Sequence, residues 1–288
     1  MPSAKVGIIG GSGLYEIEGL ANVETCRIDT PYGATSDDLT LGDLGGTRAA
    51  FLPRHGKGHR IIPSELPARA NIWALKHLGV THVVSISAVG SLQADVAPRD
   101  VVIPDQILDR TKGIRPASFF GDGIVAHIAF GEPYCPELRQ VVVETAQEAG
   151  AVTHDGGTMV VMEGPQFSTK AESSFYRQIG GTLIGMTALP EAKLAREAEL
   201  CYCTVAMVTD YDCWHEAEED VTVDMIVANL VANVDKAKAI VRLAVPKIGQ
   251  LARHCLCPNA LEGAVMTQPS ARTPERAKEL SWLLDKYA

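Results

Sequence analysis

Short apolar runs recur along the chain, and each ends in a turn of glycine or polar residues. Residues 6–9 lead into the turn GGSG, and the longer run 202–208 ends at a pair of aspartates. Segments with helical spacing of apolar residues, such as residues 67–78, lie between these runs. Strands that alternate with helices predict an α/β fold, with a central mixed, mainly parallel β-sheet flanked by helices.

The chain of 288 residues contains no internal repeat and no low-complexity linker. Its composition, with 46% apolar and 21% charged residues, is typical of a globular protein. We therefore predict one domain over residues 1–288, with a C-terminal helical extension from about residue 250. A terminal helix is expected over residues 274–287, and a long irregular segment over residues 112–136.

Charge and hydropathy exclude several classes of protein. A net charge of −9 argues against a nucleic-acid surface, which needs clustered lysine and arginine. No apolar run is long enough to span a bilayer, and the start MPSAKVGIIGG lacks the features of a signal peptide. We expect a cytoplasmic protein that contacts neither nucleic acid nor membrane.

Two strand ends carry candidate anion-binding loops. The glycine turn after residues 6–9 exposes backbone N–H groups, although it matches neither a dinucleotide fingerprint nor a P-loop. The loop RHGKGHR follows the next apolar strand, and in it Arg54 has the planar fork that binds phosphate bidentately, while His55 can donate a further hydrogen bond. A plain tight turn and a solvated basic loop are the alternatives.

Asp210 and Asp212 stand two residues apart at the end of the apolar run 202–208. In an extended chain alternate side chains share a face, so the two carboxylates are expected to point the same way. Such a pair suits a ligand that presents a proton acceptor beside an amino group. A strand-end turn with solvated aspartates is the alternative interpretation.

The seven cysteines are scattered, and their spacing predicts no zinc site, because no second CxxC or HxxxH pair accompanies the CxC motif at Cys255 and Cys257. We expect free buried thiols and no bound metal. A structural disulfide that involves Cys255 or Cys257 is the alternative.

Ligands of parallel α/β sheets bind beyond the carboxyl ends of the strands, so all these strand-end segments can share one crevice. Their motifs together resemble those of the trimeric purine nucleoside phosphorylases, from about residue 5 to residue 249. The landmarks occur in order: GIIGGSGL, TPYG, RHGKGH, ANIWALK, GSL, DRT, EPYCP, EGPQFSTKAES, GMTALPEA and VTDYDCW.

The resemblance implies a transferase of purine and methionine salvage that acts by reversible phosphorolysis. Phosphate and 5'-methylthioadenosine would give adenine and 5-methylthioribose 1-phosphate, without a metal or an organic cofactor. The residues at the positions that bind phosphate in the family are Ser12, Arg54, His55, Ser87, Ala88 and Thr187. Those at the nucleoside-binding positions are Phe167, Met186, Asp210, Tyr211 and Asp212.

Within this resemblance, Asp210 is the expected proton donor to N7 of the leaving base, and Asp212 helps to hold the 6-amino edge. Family members that prefer 6-oxopurines tend to have asparagine at the position of Asp210. The positions that set specificity at the 5' end are occupied by Ser168, Val223, Ile226, Val227 and His127. His127 matches a residue that reaches the neighbouring subunit, which implies a homotrimer or a dimer of trimers.

Three other functions remain compatible with the sequence. The nearest is a purine nucleoside phosphorylase of broader range, which acts on adenosine, inosine or methylthioinosine. A nucleosidase would use water and needs no phosphate site, so the Arg54–His55 loop argues against it. A purine-binding protein without catalysis is the third.

The CxC pair also resembles one that is oxidised in some thermophilic relatives.

Overall fold

The computed structural model of the chain describes residues 3–11, 14, 16–215 and 223–287, except for the side chains of residues 223–226 and 230. Ser12, the expected helix cap Thr222, and the side chains of Val223 and Ile226 lie outside this description.

The strands of the described chain form one eleven-stranded sheet. Their bounds are Val6–Gly10 (β1), Ala21–Cys26 (β2), Leu39–Leu44 (β3), Thr47–Pro53 (β4), His82–Ser91 (β5), Val101–Ile103 (β6), Gln106–Arg110 (β7), Thr153–Asp155 (β8), Thr158–Met162 (β9), Leu183–Gly185 (β10) and Cys201–Asp210 (β11).

The centre of the sheet is parallel. Strand β1 pairs in parallel with β4 and β5, and β11 pairs in parallel with β5. The pairs β10–β9, β7–β9 and β6–β8 are also parallel, whereas β2–β3, β3–β4, β10–β5 and β11–β6 are antiparallel. The prediction of a mixed, mainly parallel sheet is therefore confirmed.

Helices cover both faces of this sheet. They are Ala68–His77 (α1), Pro136–Glu148 (α2), Lys170–Gln178 (α3), Ala188–Glu197 (α4), Val223–Gln250 (α5), Pro274–Glu279 (α6) and Ser281–Leu284 (α7). Along β11, Tyr202, Ala206 and Val208 join the core cluster of α1 and α4, and the alternate residues join that of α2 and α5. This alternation is the period of an extended strand that is buried on both faces.

Several elements differ from the predictions. The expected terminal helix is interrupted, because α6 ends at Glu279 and α7 is followed by a 3₁₀ turn at Asp285–Tyr287. Strands β2, β3, β7 and β8 were not predicted. The segment 111–135 contains no helix and only isolated bridges, as the irregular composition predicts.

The C-terminal segment packs on the core through Leu261, Leu280 and Leu283. Among the described residues, no helix combines the length and the apolar character that a bilayer span requires.

Candidate active site

The carboxyl ends of β1, β4, β5 and β11 meet at one edge of the sheet. The register places Gly10 beside Pro53, and Asp210 beside Gly90. Strand β10 runs antiparallel to β5, with Ile184 beside Gly90, so the residues that follow β10 return along β5. The sheet thus brings the predicted segments after β4, β10 and β11 to one region around the second half of β5.

Arg54 begins the loop after β4 and is only 3% exposed. Its Nε donates to Glu191 Oε1 at 2.5 Å, and its Nη2 donates to the Ser85 hydroxyl at 2.6 Å. Nη1 donates to the carbonyl of Ile86 at 2.9 Å. The bidentate pairing that the sequence suggested for phosphate is therefore formed with Glu191 of α4, and only the Nη1 group has a further N–H to offer to a ligand.

His55, the next residue, is partly buried and stacks on His59 with ring centroids 4.2 Å apart. Its Nδ1 lies 2.7 Å from the Ile61 carbonyl, which can only accept, so Nδ1 carries the proton. Burial lowers the pKa of His55 to about 4, against an ordinary value of 6.5. At neutral pH the ring is uncharged and Nε2 is an acceptor. The expected donation from His55 is thus replaced by acceptance, which suits the hydroxyl of a protonated phosphate.

Ser87 and Thr187 come from β5 and from the segment after β10. Their hydroxyl oxygens lie 3.1 Å apart although the residues are 100 positions apart in the chain, and both side chains are buried. Ala88 is exposed within an otherwise buried strand. The structure therefore brings Arg54, Ser87, Ala88 and Thr187 together, whereas Ser12 lies outside the described residues.

The carboxylate pair is arranged differently from the expectation of an extended chain. β11 ends at Asp210 after a register shift between Val208 and Asp210. Asp212 lies in a turn with φ of 52°, so the two side chains do not share the face of a strand. Both aspartates are nevertheless buried, and the predicted alternative of a solvated turn is wrong. The absence of a side chain at Gly90 admits them, because a Cβ there would lie 2.9 Å from Asp210 Oδ1.

The two carboxylates have different surroundings. Asp210 accepts from the Thr209 hydroxyl at 2.7 Å and from the Asp212 amide at 2.8 Å. Burial raises the pKa of Asp212, and the adjacent charge of Asp210 acts in the same direction. Asp212 Oδ2 has no hydrogen-bond partner among the described residues. The two adjacent carboxylates therefore differ in their surroundings, and the raised pKa belongs to Asp212.

Side chains of α5 and of the turn fix the end of β11. Asn229 and Asn233 donate to the carbonyls of Thr209 and Val208 at 2.6 and 2.9 Å, where the register shift leaves the ladder irregular. Trp214 donates to the Ser91 carbonyl at 2.7 Å, and the Arg177 guanidinium lies 3.5 Å above its ring centroid. These contacts hold the carboxylate pair against β5.

Arg115, in the long irregular segment, holds the segments that follow β9 and β10. It donates through Nε to Glu163 Oε1 at 2.6 Å, and through Nη1 to the carbonyls of Met186 and Leu189 at 2.6 and 2.8 Å. Nη2 donates to the carbonyls of Met162 and Glu163. The position of Met186, a predicted ribose contact, therefore depends on a loop residue.

The other predicted site residues lie around this edge or outside the description. Phe167 is 58% exposed, and Val227 and His127 are also exposed, whereas Ser168, Met186 and Tyr211 are half-buried. The Ser168 carbonyl accepts from the Cys213 thiol, next to Asp212 in the chain. The side chains of Val223 and Ile226 lie outside the described residues, so their expected role stays a prediction.

The sequence interpretation missed Glu191, Arg115, Gly90 and Asn233. Glu191 lies in the motif GMTALPEA and Gly90 lies in GSL, yet neither suggested a role beyond its motif. A glycine within a strand is a signal of close approach by another group, and it could have identified Gly90. Nothing local marks Glu191 or Arg115 as partners of residues more than 45 positions away.

The fold and the site define an α/β protein whose buried polar side chains gather at the carboxyl edge of a mainly parallel sheet. The sequence profile of the phosphorylase superfamily matches residues 5–246. The chain belongs to the phosphorylase superfamily.

Particular relatives are similar over nearly the whole chain. The S-methyl-5'-thioadenosine phosphorylase of Chloroflexus aurantiacus is 57% identical, over 97% of this chain and 96% of its own. The enzyme of the same name from Geobacter sulfurreducens is 51% identical, over 98% of each chain. The structure of a methylthioadenosine phosphorylase from an antarctic soil metagenomic library, which is 48% identical, superposes with a TM-score of 0.94 over 99% of this chain and 100% of that one.

Proposed function

We propose that the protein catalyses the reversible phosphorolysis of 5'-methylthioadenosine to adenine and 5-methylthioribose 1-phosphate. The observation that carries the proposal is the buried pair Asp210 and Asp212 at the same sheet edge as Arg54, Ser87 and Thr187. The carboxylate pair suits a purine with an amino substituent, and the arginine with the two hydroxyls suits phosphate. The names of the relatives support the same substrate.

The residues proposed to bind phosphate are called the phosphate half of the site. They would supply hydrogen bonds but little net charge. Because Glu191 neutralises Arg54, the hydroxyls of Ser87 and Thr187 and the backbone at Ala88 would contact the oxygens of phosphate. His55 Nε2 would accept the proton of a phosphate hydroxyl. A phosphate held in this way remains a nucleophile, and its negative charge stabilises the ribosyl cation that forms as the N-glycosidic bond breaks.

Asp210 and Asp212 are called the purine half of the site, and they would supply the proton that the leaving base needs. Phosphate forms a bond to C1' while the bond from C1' to the base nitrogen breaks, and its electron pair stays on the base. A proton to N7 neutralises the adenine anion. We keep Asp210 as the donor, and we infer that the two adjacent carboxyl groups share one proton, because burial and the charge of Asp210 both raise the pKa of Asp212.

Substrate choice would depend on both ends of the nucleoside. A carboxylate accepts from the 6-amino group of adenine, whereas a 6-oxopurine presents an acceptor to it. At the 5' end, Val223, Ile226 and Val227 of α5 would form an apolar wall, which favours a methylthio group over a hydroxyl only modestly. Phe167, Ser168 and Tyr211 would complete the nucleoside pocket.

The reaction centre would need no metal or organic cofactor, since phosphate is the co-substrate. We also propose that the protein is a cytoplasmic homotrimer, in which the exposed His127 reaches a neighbouring subunit's 5' pocket. Sedimentation velocity measures this assembly, and His127→Ala would lower affinity for methylthioadenosine while leaving the trimer intact. A hexamer built from two trimers preserves the proposal, whereas an active monomer contradicts it.

An assay of methylthioadenosine, adenosine and inosine, each with and without phosphate, tests the function. We expect phosphate-dependent release of adenine, fastest from methylthioadenosine, and little reaction with inosine. Equal rates with adenosine or inosine would favour a broader purine nucleoside phosphorylase. Base release that does not depend on phosphate would favour a nucleosidase, and binding without turnover would indicate a purine-binding protein.

A further inference from the structure

Four thiols meet at one point on the α2 and α5 face of the sheet. The Sγ atoms of Cys135, Cys201, Cys255 and Cys257 all lie within 4.8 Å of one another. All but the half-buried Cys255 are buried. The separation of Cys201 Sγ and Cys255 Sγ is 3.5 Å, and no pair of these thiols is bonded. These four residues are called the thiol cluster below.

The members of the thiol cluster come from three separate parts of the chain. Cys135 precedes the first turn of α2, Cys201 is the first residue of β11, and the CxC motif lies after α5. The sequence predicts no zinc site because these segments are far apart in the chain, and that prediction considered only local spacing. The fold supplies the four sulfur ligands that a closed tetrahedral site needs.

The charge near the thiol cluster favours an anion. Arg196 is buried and donates to the carbonyls of Ala129 and Glu132, and the described residues include no carboxylate in a salt bridge with it. Arg196 lies close enough to Cys257 for its positive charge to act on that sulfur. Two disulfides would be neutral and would leave Arg196 without a counter-charge.

We propose that the thiol cluster binds one divalent ion of the zinc class as a closed, four-coordinate structural site. Sulfur–metal bonds of about 2.3 Å place tetrahedral sulfurs about 3.8 Å apart, so the four Sγ atoms need to approach one another by at most about 1 Å. The ion replaces the thiol protons, and four thiolates with one divalent ion carry two negative charges beside Arg196.

The site is independent of the proposed reaction. Cys201 and Asp210 are the first and last residues of β11, so the cluster and the carboxylate pair are roughly 30 Å apart along the strand. The ion would join the start of α2, the start of β11 and the C-terminal segment. Its role would be to stabilise the fold, and turnover could persist without it.

Metal content of the reduced full-length protein, purified without added metal or chelator, tests the proposal. We expect about one zinc per chain by plasma mass spectrometry. After zinc removal, titration with Co²⁺ should give the intense thiolate-to-cobalt bands and the visible absorption of a tetrahedral tetrathiolate. Cys257→Ser and Cys255→Ser should each weaken zinc binding, in competition with a chromogenic chelator, on the order of a hundredfold.

Two control variants match Cys257→Ser and Cys255→Ser in the burial of the thiol that is removed. Cys203→Ser removes a buried thiol of β11 outside the cluster, and Cys26→Ser removes a half-buried thiol elsewhere. Both should keep the metal. If Cys257→Ser does not fold, Cys255→Ser still tests the site, because its thiol is partly exposed. Reduced protein that binds neither zinc nor Co²⁺, or native protein whose mass lacks two hydrogens per disulfide and contains no metal, would overturn the proposal.

Discussion

The residues proposed to bind phosphate and those proposed to bind the purine differ in how their buried charges are paired. In the phosphate half, the Arg54 guanidinium is neutralised by Glu191, and Ser85 and the Ile86 carbonyl take up most of its remaining donors. In the purine half, two buried carboxylates are adjacent, and Asp212 Oδ2 has no partner within the described part of the chain. The charge of the first half is paired within the protein, whereas the second half keeps a carboxylate oxygen without a partner among the described residues.

This difference separates positioning from chemistry. The charge of a fully hydrogen-bonded ion pair cannot move without breaking several hydrogen bonds. The pair therefore keeps the proposed phosphate-binding side chains in fixed positions. Burial raises the pKa of Asp212 and so favours the protonated form, which can donate to a ligand, at a cost to the stability of the folded protein. We therefore expect variants of the phosphate half to alter folding, and variants of the purine half to alter turnover.

The largest effect should follow Asp210→Asn. The amide keeps the shape of the side chain but cannot transfer a proton, so kcat for methylthioadenosine should fall by roughly 10² to 10⁴-fold. Steady-state kinetics with saturating phosphate measure the loss. The exposed Asp29→Asn should retain wild-type kcat. Near wild-type turnover in Asp210→Asn would exclude Asp210 as the proton donor.

Glu191→Gln should destabilise the phosphate half of the site. It leaves the Arg54 charge buried without a counter-charge, and Tyr202 and Ser85 lose a charged acceptor. The free energy of unfolding should fall by about 3 kcal/mol, and KM for phosphate should rise. Urea denaturation measures the change.

Glu18→Gln is the matched control for Glu191→Gln. The Glu18 side chain is 90% exposed and pairs with Arg242 at the surface, so its loss should cost less than about 1 kcal/mol. Equal effects of the two substitutions would show that burial of the Arg54–Glu191 pair contributes nothing beyond a surface contact.

The smallest effect should be a gain of stability in Asp212→Asn. Because the folded protein raises the pKa of Asp212, it binds more protons than the unfolded chain between the ordinary value of 3.8 and the raised value. This carboxyl therefore lowers stability as the pH rises through that window, and the loss persists above it. At pH 7 the variant should be more stable by about 1 kcal/mol or less.

The pH dependence provides the control for Asp212→Asn. The difference in free energy of unfolding between variant and wild type should shrink as the pH falls towards and below 3.8, since the wild-type carboxyl becomes neutral in both states there. Urea denaturation over a pH series measures it. A difference that does not depend on pH would show that packing, and not charge, is the cause.

The sequence predicts elements well where a strand is buried on both faces. Strands β1 and β11 are continuous apolar runs, and each was placed to within two residues. β2 was missed because it is an exposed edge strand of polar composition, and β8 because it has only three residues. Their pairing depends on partners that are distant in sequence, which local patterns do not show.

The candidate site could be predicted as a set of strand ends but not as a set of contacts. Parallel pairing places Arg54, Ser87 and Asp210 at one edge, and that follows from the α/β pattern. The partner of Arg54, the tautomer of His55 and the turn at Asp212 depend on long-range packing. The pairing of Ser87 with Thr187 likewise needs the antiparallel return of β10.

Arg115 donates to the carbonyls of four residues, Met162, Glu163, Met186 and Leu189, and to the carboxylate of Glu163. One guanidinium thus joins the irregular segment 111–135 to two strand ends that share no ladder beyond Gly185. Local unfolding of that segment would release the backbone at Met186 together with it. We therefore expect the loop and the backbone at Met186 to open as one cooperative unit, with a common opening free energy and common protection in hydrogen exchange.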